Sequence, residues 1–186
     1  GRYLVRNLTK KNFRCIVPTR NPFAKGYLKT QAPPGAIEII DFNSKNFNAI
    51  KNAINNSDIV INLTGILYET RKQKFNTIHA DLPETIANLC AQSDVKKFVH
   101  VSAIGASKES KSKYQQSKFL GEEKSLSSFK NTIVIRPSVV CGSEDNFTNL
   151  FAKLSFSPII PVVNMNYKFQ PIFVNDVARA ILKAID

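Results

Sequence analysis

Tyr114 and Lys118 stand four residues apart in the stretch SKYQQSKFLGEE, Ser112 to Glu123. On a helix that spacing stacks the phenol and the ammonium on one face. A free phenol ionises near pH ~10, too high for an efficient base at neutral pH. An ammonium one turn away favours the phenolate and is expected to lower that value. Ser102, at the end of the apolar run KKFVHVSA, brings a hydroxyl that can hold a carbonyl oxygen by a hydrogen bond. Together the three could pass a proton to or from a substrate oxygen. Taken alone, a Tyr–Lys pair reads as a solvated helix face. The elements that position it therefore decide what it is.

Those elements alternate. RYLVRNL predicts a helix with Tyr3, Leu4 and Leu8 as its apolar stripe, and FRCIVPTR a strand. NPFAKGYLKTQAPPG reads as a connection punctuated by Pro and Gly. AIEIIDF and DIVINLTG predict strands on either side of a helix over NSKNFNAIKNAINN. KFNTIHADLPETIANLCAQS predicts a helix with a kink or break marked by Pro83. KKFVHVSA and NTIVIRPSVV are strands around the helix SKYQQSKFLGEEKSL, and FTNLFAKL and VNDVARAILKAI are the last two helices. Strands separated by helices of this length mean βαβ units and a parallel sheet. The near-continuous apolar runs DIVINL and TIVIRP suit strands covered on both faces. The predicted fold class is α/β, a Rossmann-type doubly wound parallel sheet with helices on both faces, as one domain over residues 1–186.

Composition narrows the function. The chain is 43% hydrophobic and carries a net charge of +12, but its basic residues are scattered. The local clusters TRKQK and SKESKSK are not interleaved with aromatics, so a nucleic-acid partner is not expected. No apolar run approaches the ~18 residues of a transmembrane segment. Cys15, Cys90 and Cys141 read as separate thiols, and His79 and His100 have no metal-ligand spacing, so no metal is expected. His100 precedes Ser102 by two, which puts both on one sheet face, and it reads as a packed histidine. Ser107, Ser110 and Ser112 read as loop and helix-cap residues.

In such a sheet, ligands sit at the carboxyl ends of the strands. Gly1 stands where the last glycine of a dinucleotide turn would be, immediately before the first helix. About 20 residues past that turn, at the end of the following strand, the fold places the residue that reads the ribose. That residue is Arg20. An acid there would bond a 2′-hydroxyl; an arginine can pair with a 2′-phosphate. The expected cofactor is therefore NADP(H) in preference to NAD(H), which stays possible. Asp41 ends the next strand, within reach of an adenine amino group, and Asn62 and Gly65 end the one after. On this reading a first strand, central in the sheet, precedes Gly1, and the 186 residues are a piece of a longer chain.

The ordered set GRYLVRNL, NLTG, HVSAIGA, Tyr114-x-x-x-Lys118, RPSVVCG and QPIFVNDVARAI resembles the extended and atypical short-chain dehydrogenase/reductases over nearly the whole chain. Within them, PTR, SDIVINLTG, VKKFVHVSA, SKYQQSK and RPSVVCGSEDNF are most similar to the nucleotide-binding accessory subunits of respiratory complex I and their bacterial relatives. The resemblance implies a catalytic set of Ser102, Tyr114 and Lys118. It implies cofactor contacts from Gly1, Arg20, Asp41, Asn62, Thr64, Gly65, Tyr114 and Lys118, with Pro137 and Ser138 beside the nicotinamide. It also implies a substrate lobe beyond Asp186. That group binds NADPH tightly and acts mainly in a structural role, which implies complex I subunits as partners. The implied location is the mitochondrial matrix or bacterial cytoplasm, peripheral to the inner membrane. Two other expectations stand beside it. One is an active NAD(P)-dependent oxidoreductase or epimerase on a quinone precursor or nucleotide sugar. The other, ranked last because Tyr114 and Lys118 are both kept, is a redox-sensing binding module.

Overall fold

Alternation along KFVHV turns successive side chains to opposite faces of a sheet. In the computed structural model, which describes residues 1–42, 47–156 and 168–186, this segment is the central strand β4, Lys97–Val101, of a parallel block. It lies between β3 (Ile59–Asn62) and β5 (Thr132–Ile135), with Asn62 opposite His100 and Val101 opposite Ile135. A second parallel pair joins β1 (Cys15–Thr19) to β2 (Ile37–Asp41), with Thr19 opposite Asp41 at the shared carboxyl end. Among the described residues no ladder joins β1 to β3.

Helices cover both faces. On one, α1 (Arg2–Lys10) and α6 (Val174–Ile185) bury Leu4, Leu8, Ile181 and Ile185 against Val99. Val17 and Ile39 of the β1–β2 pair and Ile61 of the three-stranded block pack on the same cluster. The two blocks therefore share one core through these two helices. On the other face, α2 (Phe47–Asn55) supplies Ile50 and Ile54, and α3 (Leu82–Ala91) supplies Ile86 and Cys90, against Phe98. This is the doubly wound Rossmann arrangement expected from the sequence.

Three local features differ from the expected pattern or refine it. The connection after β1 is a 3-10 helix over Phe23–Gln31, because Leu28 is drawn into the core beneath α1 and Asn21 Oδ1 accepts the Ala24 N–H at 3.1 Å. Two short strands escape the sequence pattern: β6 (Val140–Cys141) and β7 (Ile172–Phe173), too short to carry a period of their own. The helix expected around Pro83 opens as a π turn over Thr77–Asp81, and α3 follows with Pro83 in its first turn, where a missing N–H costs little. The expected start of α2 at 43–46 lies outside the described residues.

The remaining helices are α4 (Lys113–Ser128) and α5 (Asn146–Leu154). The buried face of α4 is not apolar. It consists of Ser117, Lys118, Gly121, Glu122 and Ser125. Burying such groups is unfavourable unless each finds a partner, so this face marks a site. At Gly121 the helix lies directly on the backbone of the π turn: a Cβ there would sit on the His79 carbonyl oxygen and 2.9 Å from its carbon.

Candidate cofactor site

The β4 strand continues its parallel pairing past its end. Ser102 N–H donates to Ile135 O at 2.8 Å and Ile104 N–H to Pro137 O at 2.9 Å. This fastens the Pro137–Ser138 loop beside Ser102. From α4, Lys118 crosses over the strand end and donates to Val101 O at 3.3 Å. Its Nζ would lie 3.2 Å from a Cβ on Gly65, a tight contact that glycine avoids. Three sequence-distant elements, the turn after β3, the end of β4 and α4, thus meet at one ammonium.

Lys118 is 4% exposed. Burial pulls its pKa down to about 8, against the opposing pull of Glu122 one turn along. Glu122 is itself buried and gripped by Arg136, whose Nε donates to the two carboxylate oxygens at 2.9 and 3.1 Å. Lys118 is therefore charged at neutral pH in a place that disfavours charge. Buried cations without a full partner set are a common mark of functional sites.

Tyr114 behaves differently from its sequence expectation. Burial pushes its phenol above the ordinary value. The ammonium is turned to Val101 O and Gly65, and among the described residues no hydrogen bond joins it to the phenol. The two side chains share a helix face, as their spacing requires, without forming a direct pair.

Asn62 orders the strand ends. Its Oδ1 accepts from the Thr64 N–H at 3.0 Å and from the Thr64 hydroxyl at 2.6 Å. Its amide nitrogen then faces His100 Nδ1 at 3.2 Å. This makes Nδ1 an acceptor, so His100 is neutral with its proton on Nε2. The Nε2 atom and Ser102 Oγ are both buried and have no partner among the described residues. Burial also pulls the His100 pKa down to about 4, with Lys118 and His79 adding to the effect. His100 is thus the packed histidine the sequence suggested.

Arg20 and Asp41 are exposed, one just past the end of β1 and the other ending β2, and Phe42 N–H donates to Thr19 O at 2.8 Å to hold the two ends together. Arg20 makes no ion pair among the described residues. Gly1 opens α1, with its Cβ direction 3.9 Å from Leu63, the residue after β3. The candidates therefore fall at the carboxyl ends of both strand blocks. Arg20 and Asp41 stand at one block, while Asn62, Thr64, Gly65, Ser102, Tyr114, Lys118 and Pro137 gather around the other.

Sequence reasoning missed His79. It is fully buried in the π turn. Its Nε2 accepts the Ile66 N–H at 3.0 Å, and its ring stands edge-on to Tyr114 at 5.3 Å. Nothing in a helical pattern distinguishes it, because its partners lie 13 and 38 residues away.

A dinucleotide fits this residue set. Among the described residues a strand-end hydroxyl has no partner, a glycine clears the space before a buried cation, and a guanidinium without an ion pair stands just past the end of β1. Comparison with known proteins agrees on the ligand class. Residues 1–128 match the model of a family described as NAD(P)H-binding. The mouse mitochondrial protein NADH dehydrogenase (ubiquinone) 1 alpha subcomplex subunit 9 is 34% identical over 187 residues, covering 99% of this chain and 50% of its own length. Its Dictyostelium discoideum counterpart is 36% identical over 189 residues, covering 100% of this chain and 52% of its own. The chain thus spans about half the length of the curated relatives it matches. Among solved structures, UDP-glucuronic acid 4-epimerase from Bacillus cereus, in complex with UDP-glucuronic acid and NAD, superposes with a TM-score of 0.78 at 16% identity. That match covers all of this chain and 69% of the epimerase.

Proposed function

The chain belongs to the NAD(P)H-binding family, and from that premise we propose that it holds NADP(H) tightly as part of an accessory subunit of respiratory NADH:ubiquinone oxidoreductase. The observation that carries the proposal is the buried Lys118 ammonium, set before Gly65 with one carbonyl for company. Such a group is stabilised by a ligand that supplies hydroxyl and phosphate oxygens. The bound dinucleotide would supply hydride chemistry. Lys118 would hold its nicotinamide ribose, Tyr114 and Ser102 would face the reacting end, and Asn62, Thr64 and Gly65 would line the ribose and phosphates. Arg20 and Asp41 would take the 2′-phosphate and adenine, and Gly1 would close the phosphate turn. Pro137 and Ser138 would border the nicotinamide.

Two observations favour holding over turnover. The Tyr114 phenol is pushed up by burial, so it is protonated at neutral pH and is no ready base. Curated relatives that match nearly the whole of this chain carry respiratory subunit names. Partners would be other subunits of that complex, at a site peripheral to the inner membrane in a mitochondrial matrix or bacterial cytoplasm. No helix among the described residues is long and apolar enough to cross a membrane. Co-purification with membrane-bound NADH:quinone oxidoreductase tests the assembly, and a freely soluble protein without that partner would count against it.

The NADP(H) preference has its own test. Arg20→Ala should weaken NADPH binding by ~10- to 100-fold while leaving NADH nearly unchanged, as loss of a charge-assisted bidentate pair requires. Isothermal titration with both nucleotides measures this. Equal losses would remove Arg20 from the role.

A second reading is an active NAD(P)-dependent oxidoreductase or epimerase. Ser102 supports it, since its buried hydroxyl is uncommitted and ready for a carbonyl oxygen. A protonated Tyr114 could donate during reduction even though it is a poor base. The natural protein should then turn over a carbonyl substrate, and Tyr114→Phe should abolish the rate. Equal inertness of both proteins across a substrate panel would end this reading.

A further inference from the structure

His79 has every feature of a working residue except contact with the proposed ligand. It is completely buried, yet each ring nitrogen has a partner. A backbone N–H can only donate, so Ile66 N–H at 3.0 Å requires Nε2 to be unprotonated. The ring proton is then on Nδ1, 2.9 Å from Ser117 Oγ. That hydroxyl receives it and donates onward to Tyr114 O at 2.7 Å. One hydrogen-bond chain therefore runs from the turn after β3, through the imidazole, into the first turns of α4. Every proton in it has a fixed place.

Packing fixes the ring as firmly. Phe75 stacks on it at 5.3 Å with planes 19° apart, and Tyr114 meets it edge-on at 88°. Beneath it, Gly121 lets α4 close onto the His79 carbonyl. The side chain issues from the π turn, and such insertions are frequent at functional sites. The charged and titratable groups around the ring are Lys118 and Tyr114 from α4 and His100 from β4. Of these, the Lys118 ammonium repels a proton on His79.

We infer that His79 is a positioning residue: a neutral imidazole, locked in one tautomer, that holds the Gly65–Ile66 turn and the Tyr114–Lys118 helix at the spacing that admits the nicotinamide half of the dinucleotide. The inference rests on the dinucleotide reading above. It assigns His79 no contact with the ligand. The imidazole acts through Ile66 on one side and Ser117 on the other, and Lys118 reaches Val101 O only when α4 is seated there.

The test uses the natural full-length protein with two probes, NADPH and 2′-phospho-ADP-ribose, which lacks the nicotinamide end. His79→Phe keeps the ring packing but leaves the Ile66 N–H unpaired. It should weaken NADPH about tenfold or more, the cost of one orphaned buried donor. 2′-Phospho-ADP-ribose should be nearly unaffected. His79→Gln, whose side-chain carbonyl can still accept from Ile66, should recover most of the loss. Equal weakening of both probes, no weakening, or no recovery by glutamine would each overturn the inference. Nitrogen-15 NMR of the wild-type imidazole gives an answer even where His79→Phe does not fold: at neutral pH it should report the Nδ1–H tautomer, and an Nε2–H ring or an imidazolium would refute the lock. A wild-type protein that binds neither probe would instead remove the dinucleotide reading itself, a result distinct from binding that ignores position 79.

Discussion

Acidification from pH 7 to 4 should cost the fold about 6 kcal/mol, enough to unfold a domain of ordinary stability. The loss comes from two imidazoles. His79 and His100 are each fully buried, and each has a pKa pulled down from 6.5 to about 4, chiefly by burial and next by the Lys118 charge. The sign follows from proton counts. Between those two values the unfolded chain binds a proton on each ring and the folded chain does not, so stability is full above pH 6.5 and falls as the pH drops toward 4. Each ring contributes roughly 2 kcal/mol of loss by pH 5 and roughly 3 by pH 4. The hydrogen bonds give the same direction. Protonated His79 cannot accept from Ile66 N–H, and protonated His100 would point a donor at the Asn62 amide. Asp58 and Asp145 are held below the ordinary carboxylate range and titrate outside this window. Thermal melts across pH 7 to 4 measure the effect, and a melting temperature unchanged between pH 7 and 5 would show that the rings are not buried as neutral groups.

Gly121→Ala should destabilise the protein by about 3 kcal/mol or more, at the upper end for added volume in a packed interior. The new methyl would fall on the His79 carbonyl, and carbonyl carbon and Ala80 Cα lie only 2.9 and 3.5 Å from it. Backbone cannot swing aside as a flexible side chain can, so α4 must lift from the π turn. That movement would stretch the Ser117–His79 bond and unseat Lys118 from Val101 O. Denaturant titration and NADPH binding should therefore fail together. A stable Gly121→Ala protein with normal binding would mean the helices are not in contact at this point.

The sequence displayed what depends on periodicity and on strand ends. The alternation in KFVHV, the four-residue step from Tyr114 to Lys118 and the last residues of each strand all predict where side chains meet, and Lys118 does come to Gly65 and to the Val101 carbonyl. Direction of charge was less legible. The expected fall in the Tyr114 pKa needs the ammonium beside the phenol, but Lys118 is drawn to a carbonyl instead and burial prevails. His79 was invisible because a π turn leaves no mark in an apolar pattern, and its partners come from other elements. The 3-10 helix at Phe23–Gln31 and the β6–β7 pair are likewise set by what packs against them, not by local preference.

The two strand blocks have a consequence for what the ligand is worth to the protein. Side chains of both pack on one core beneath α1 and α6. Arg20 and Asp41 stand on one strip, and Lys118 and Ser102 on the other. A molecule long enough to be gripped at both would act as a tie rod between the two strips. A tie rod is useful by staying in place. Residues able to do chemistry can then be kept for their grip alone.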